Sequence, residues 1–197
     1  MEVYNKRDAE KITSEITHII NPTKKIKDLE KQLQFSESYQ NRVNLADAYL
    51  ENKDYHNALK HYKEALDGNF QNDFYVIKHM IEAFYHMEDY KSVVDYCDKI
   101  KTHPEFKKSK TQFLYGLALE KEGKLTEAED NLKAIDIRFS FYSERLIYAK
   151  FLLHIDKKED AKTILEALVS EGAHMTKPNK KLYNAVITEA KKLVLSL

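Results

Sequence analysis

The chain has 197 residues, with 32 Lys and Arg against 32 Asp and Glu, one cysteine, four glycines and three prolines. Balanced charge supplies no field to attract a phosphate backbone, so nucleic-acid binding is not expected, and one cysteine rules out an internal disulfide and fits a reducing compartment. No apolar run approaches the roughly 18 residues that span a bilayer, so the sequence reads as cytoplasmic, with no direct membrane insertion.

Scarce Gly and Pro among plentiful Lys, Glu, Leu and Ala predict helix throughout one domain. Residues 1–37 form a helical leader: Ala9, Ile12, Ile16, Ile19 and Ile20 make an apolar stripe that stops at Asn21-Pro22. A second stripe, Ile26, Leu29 and Leu33, follows Thr23 as its expected N-cap.

From residue 39 the chain repeats itself. Leu45, Ala46, Tyr49, Tyr55, Ala58, Tyr62 and Ala65 recur 35 residues later as Met80, Ile81, Phe84, Tyr90, Val93, Cys97 and Ile100. They recur again as Tyr115, Gly116, Leu119, Leu125, Ala128, Leu132 and Ile135, and after 33 more residues as Tyr148, Ala149, Leu152, Lys158, Ala161, Leu165 and Leu168. The four copies cover about 39–72, 73–107, 108–140 and 141–172.

Within each copy the apolar positions fall at i, i+3, i+4 and i+7, the stripe of a helix. Each copy holds two such stripes separated by a short polar break, at Asn52 to Asp54, Glu88-Asp89, Gly123-Lys124 and Asp156-Lys157. Breaks this short predict helical hairpins. Small residues (Ala46, Gly116, Ala149, Ala58, Ala128, Ala161) stand where helices must approach, and Gly68 and Gly172 are expected as left-handed caps after second helices. Residues 176–197, with Pro178 in the first turn and Leu182, Tyr183, Val186, Ile187, Ala190, Leu193 and Val194 on one side, predict a capping helix rather than a membrane-surface or partner-binding one.

Leu45-Ala46-Asp47-Ala48-Tyr49 followed by Asp54-Tyr55-His56-Asn57-Ala58-Leu59-Lys60-His61-Tyr62 resembles the tetratricopeptide repeat, and Tyr115-Gly116 with Gly123-Lys124-Leu125-Thr126-Glu127-Ala128 is similar. The resemblance implies a right-handed α-solenoid of about four helix-turn-helix repeats, extra N-terminal helices and a C-terminal capping helix. Asp28-Leu29-Glu30, Gln32-Leu33 and Asn41-Arg42, with the order of the copies, further resemble a group of bacterial tetratricopeptide proteins without an assigned role. Members of that group often carry N-terminal membrane segments, which this sequence does not show.

Chemistry-bearing motifs are absent: no glycine-rich phosphate loop, CxxC pair, HExxH or GxSxG occurs, so neither catalytic residues nor a cofactor is expected. His79, Glu82 and His86 share a helical face, but the two histidines lie about 10 Å apart along it, too far to share a metal. Cys97 aligns with core positions and reads as a packing thiol.

The resemblance implies a concave face built from first helices, at positions off the packing stripe. Those positions are polar or aromatic in copies one and two (Asn44, Asp47, Tyr75, Lys78, His79, Glu82) and apolar in copies three and four (Phe113, Leu114, Leu117, Leu146, Ile147). Either a partner or the capping helix and the tight superhelix cover the apolar strip. A clamp for an acidic C-terminal tail is not expected, because Val43 and Asp47 occupy the relevant positions and an aspartate repels a carboxylate. The expected function is a protein-interaction scaffold that holds a partner peptide or helix at Asn44, Asp47, Tyr75, Lys78, His79, Glu82, Phe113, Leu114 and Leu117. The alternative is an assembly subunit forming a homodimer through its end face or C-terminal helix.

Overall fold

The computed structural model describes residues 21–197, and the stripe expected over residues 9–20 lies outside them. Ten α-helices and two short 3-10 turns make up the described residues, with no strand among them. The helices are α1 (Pro22–Phe35), α2 (Tyr39–Glu51), α3 (Tyr55–Ala65), α4 (Phe74–His86), α5 (Tyr90–Ile100), α6 (Lys110–Lys121), α7 (Leu125–Lys133), α8 (Tyr142–His154), α9 (Lys158–Ala173) and α10 (Lys177–Ser196). The fold is all-α.

The chain divides into two compact units, Met1–Ser92 and Val93–Leu197, and the division falls inside α5. In the first, α1 lies on α2, α2 and α3 form a hairpin, and α4 packs on α3 with an edge against α2. The core is Leu45, Ala46, Tyr62, Ile77, Met80 and Ile81, all essentially sealed from solvent. In the second, α6 pairs with α7, α8 with α9, and α10 lies against α9 and α8.

The four hairpin turns share one geometry. Lys53, Glu88, Gly123 and Asp156, equivalent positions, adopt φ of 61°, 59°, 75° and 61°. Each is followed by a residue whose N–H reaches back five positions: Asp54 to Tyr49 (2.9 Å), Asp89 to Phe84 (3.0 Å), Lys124 to Leu119 (2.9 Å) and Lys157 to Leu152 (2.8 Å). This bond closes the helix end in a Schellman motif, which the left-handed residue makes possible. Only the third copy places a glycine there, so the other three sustain the conformation at a cost of about 1 kcal/mol each.

Close helix contact explains the small residues. Ala46, Ala58, Ala128, Ala149 and Ala161 are completely buried, and a Cβ on Gly116 would stand 2.8 Å from Leu132 Cγ. Gly172 departs from expectation: α9 runs through it to Ala173, so it caps nothing. A Cβ there would lie 2.8 Å from Ile187 Cγ2, so its role is to let α10 approach α9. Gly68 does take φ +56°, but it opens the 3-10 turn beyond the Leu66 cap and its N–H goes to Asp67 Oδ1, so it does not close α3 either.

Thr23 is not the cap of α1. The helix starts at Pro22, and Asn21 accepts the Lys24 N–H at 3.1 Å. Proline loses nothing at a first helical position, where its missing N–H has no partner to bond. Pro178 in the first turn of α10 uses the same rule.

A charged pair is sealed inside the second unit. Arg145, 1% exposed, donates from Nε to Asp136 (2.8 Å) and from a terminal nitrogen to Glu171 Oε2 (2.8 Å). Glu171, 2% exposed, also accepts the Phe139 backbone N–H at 2.8 Å, and Arg138 stands 3.4 Å away. Burial alone would raise the Glu171 carboxyl, but the hydrogen bonds from Arg145 and Phe139 outweigh it and hold the group below its ordinary value. The pair fixes the loop before α8, where Phe139 and Phe141 both take positive φ.

Candidate functional site

First helices α2 and α4 start from firm caps. The Ser38 hydroxyl accepts the Asn41 N–H (3.2 Å) and Asp73 accepts the Val76 N–H (2.9 Å), satisfying donors that a helix start leaves open. From these starts, one face of α4 carries Tyr75, His79, Glu82 and His86, and one face of α2 carries Asp47, Leu50 and Glu51. With Lys53 and Tyr55 they line a cleft of about 540 Å³ in the first unit. Tyr75 to His86 spans about 16 Å at about 1.5 Å per residue.

Asp47 organises this cleft. Its two carboxylate oxygens each accept a phenol, from Tyr62 at 2.5 Å and from Tyr75 at 2.8 Å. Tyr62 is completely buried in the α2–α3 core, so the carboxylate is tied to the scaffold on one side and opens to the cleft on the other. Burial and then the hydrogen bond to Asp47 push the Tyr75 phenol up to about 12, and the Tyr62 phenol further still, so both remain donors across the physiological range.

The aromatic walls are paired. Tyr55 stacks on His86 with centroids 5.1 Å apart and planes 13° from parallel, and the Tyr75 ring packs at 4.3 Å from His79. His79 Nδ1 is 2.7 Å from the Tyr75 carbonyl oxygen, a geometry in which Nδ1–H donates and Nε2 points elsewhere. Lys78 Nζ lies 5.0 Å from the centre of the Tyr75 ring, a cation–π contact. Glu51 pairs with Lys25 of α1 at 2.5 Å, and His86 Nε2 stands 3.9 Å from Glu82.

Of the nine residues singled out from sequence, Asp47, Tyr75, His79 and Glu82 line this one cleft. Asn44 lies on α2 outside the lining and accepts the Gln40 amide at 2.8 Å, and Lys78 covers Tyr75. Phe113, Leu114 and Leu117 are a correction: at 5%, 7% and 7% exposure they are core, and no partner can reach them. Phase around the helix marks them as off the packing stripe, yet an apolar residue on a crowded helix buries wherever neighbours allow. Leu146 is likewise buried, whereas Ile147 keeps 39% of its surface.

Leu50, Lys53 and Tyr55 line the cleft without having been singled out. Tyr55 occupies a repeat position that reads as core, and the stacking signal lies in His86, 31 residues further on. No group of three metal-ligating side chains converges among the described residues, and none of their helices is long and apolar enough to cross a membrane. Cys97 is completely buried, and burial pushes its thiol well above its ordinary range, so it packs rather than reacts.

No protein-family model matches this sequence, and a comparison with curated proteins finds no match. A comparison with solved structures finds similarity to one described as "MamA RS-1 ArsTM double mutant", a tetratricopeptide-containing protein. The TM-score is 0.73 at 13% identity, over 84% of this chain and 93% of that one. At this identity the likeness shows the fold: a tetratricopeptide-like, all-α helical repeat of the α-solenoid class.

Proposed function

We propose that the protein is a non-enzymatic interaction scaffold whose first unit binds an extended segment of a partner protein in the cleft between α2 and α4. The observation that carries this reading is the cleft itself: four side chains nominated by the repeat resemblance and helical phase line one opening of about 540 Å³, and a hydrogen-bonded carboxylate stands in its wall. Its length of about 16 Å suits roughly five residues of extended peptide at about 3.3 Å each. A tetratricopeptide-like fold supports scaffold function as an analogy, and Asp28-Leu29-Glu30, Gln32-Leu33 and Asn41-Arg42 are the ground for proposing kinship with the bacterial group named above.

The test compares proteins retained from an extract of the native host by the wild type and by Tyr75→Ala with Glu82→Lys, both verified as helical. A partner retained by the wild type and lost by the double variant, and then bound as a purified protein with the same discrimination, is the expected result. Equal retention of every partner removes the cleft from consideration.

A specific observation favours a second reading, self-association through α10. Val169, Val194 and Leu195 line an apolar groove of about 460 Å³ between α9 and α10, with Glu166 and Lys191 beside them. Leu195 remains 88% exposed. Concentration-dependent mass that Leu195→Asp abolishes would establish that reading, and a constant monomer mass would dismiss it.

A further inference from the structure

A terminal helix of a stack ordinarily turns a polar face outward. The outer side of α10 does not. Of its 20 residues only Ala190 is buried, and Leu195 stands 88% exposed beside the groove that α10 shares with α9. We propose that a second copy of this chain covers the groove, turned about a two-fold axis that runs along it, so that Glu166 of each copy meets Lys191 of the other; this deepens the self-association reading and rests on it.

The charges choose the occupant. Both walls carry one pattern at i, i+3 and i+4: Glu166, Val169 and Ser170 on α9, and Lys191, Val194 and Leu195 on α10. One wall is therefore acidic and the other basic, with valines between them. The register across the groove is fixed at Gly172, whose missing Cβ lets Ile187 lie against it. Only three residues separate α9 from α10, which makes the two helices antiparallel. Counted from the Gly172 contact at about 1.5 Å per residue, Glu166 lies about 9 Å back along α9 and Lys191 about 6 Å forward along α10, in one direction and nearly at one level. Half a turn about the groove exchanges the walls at every level, so α9 faces α10 of the second copy and opposite charges meet twice. A two-fold across the groove would instead set α9 on α9 and bring Glu166 near its own counterpart, which like charge opposes. Both residues are exposed, and among the described residues neither forms an ion pair within its own chain. Leu195 gains cover in the same step. The patch is small, so the pair is weak and reversible.

Sedimentation equilibrium of the full chain from about 1 µM to about 1 mM, a span that covers weak pairs, tests this. The wild-type mass is expected to rise toward that of two chains. Glu166→Lys and Lys191→Glu, both at exposed positions and verified as helical, should each weaken association by about tenfold or more, since each sets like charges together at both contacts. An equal mixture of the two variants should recover it: one contact then pairs the two native residues, the other pairs the two introduced charges, and both have opposite signs. Recovery on mixing excludes an effect confined to one chain, because each chain keeps its like-charged walls. Lys180→Glu, on α10 outside the groove, should change nothing. Self-association that ignores both reversals, or a mixture no stronger than its components, overturns this pairing and leaves self-association to another geometry. A monomer mass for the wild type throughout removes the pairing together with the reading beneath it.

Discussion

Corresponding positions on first helices face opposite fates in the two units. In the first, Asp47, Tyr75, His79 and Glu82 line an open cleft, and their hydrogen bonds run to neighbouring side chains and backbone at its edge. In the second, Phe113, Leu114, Leu117 and Leu146 are sealed, and the ion pair of Arg145 with Glu171 lies beneath the surface. One repeat grammar thus yields a surface in one place and a core in the other. The phase of a residue on a helix nominates it for binding, but its polarity decides whether it stays available.

The sharpest way to break the comparison is to remove the buried charge. Glu171→Ala strands Arg145 without its partner, and a loss of about 3–5 kcal/mol is expected in urea unfolding. The same residue gives an acid dependence. Because its folded value is depressed, its contribution is fully present above the ordinary value of about 4.5 and disappears as pH falls through the lower folded value. A Glu171→Ala loss below 1 kcal/mol would show the pair to be incidental.

Close helix contact comes next. Gly116→Ala gains about 1 kcal/mol of helix propensity but drives a Cβ to 2.8 Å from Leu132 Cγ, so a net loss of about 1–2 kcal/mol is expected. A gain in thermal stability would mean that Leu132 moves aside freely.

The four turns offer a smaller effect with a sign that inverts between copies. Gly123→Ala should cost about 1 kcal/mol, whereas Lys53→Gly and Asp156→Gly should each gain up to about 0.5–1 kcal/mol, because the left-handed position favours glycine. Melting curves of the three variants check this, and equal shifts in one direction would contradict it.

Smallest is a pH effect in the first unit. His61 stacks on Tyr49 at 5.6 Å, and burial lowers its pKa below 6.5. The unfolded chain therefore binds more protons in the window below 6.5, so stability falls as pH drops through it. Unfolding free energies at pH 7.5 and 5.5 should diverge in the wild type and draw closer in His61→Phe.

Much of the helical grammar is legible in the sequence because burial and helical period act on every copy alike: Ala58, Ala128 and Ala161 announce their contacts by alignment alone. The turn conformation is not, since Lys53, Glu88 and Asp156 carry no residue-type mark of positive φ. Gly172 misleads because a glycine near a helix end serves equally as a cap or as a contact point, and only the position of Ile187 separates the two. Glu171 looks like a solvent-facing charge because its partner lies 26 residues away on α8. In the cleft, Asp47 and Tyr75 stand out as polar groups on first helices, but their hydrogen bond joins residues 28 apart, and Tyr55 hides within the repeat motif.

The measurement that meets the central claim most directly is site-specific photo-crosslinking to the retained partner. A benzophenone side chain replaces Tyr75 in one variant and the exposed Phe139 of the second unit in another. The account predicts a crosslinked partner segment from position 75, competed by an excess of that segment as a free peptide, and none from position 139. Crosslinks from 139 with none from 75 would contradict it and move the binding surface to the second unit.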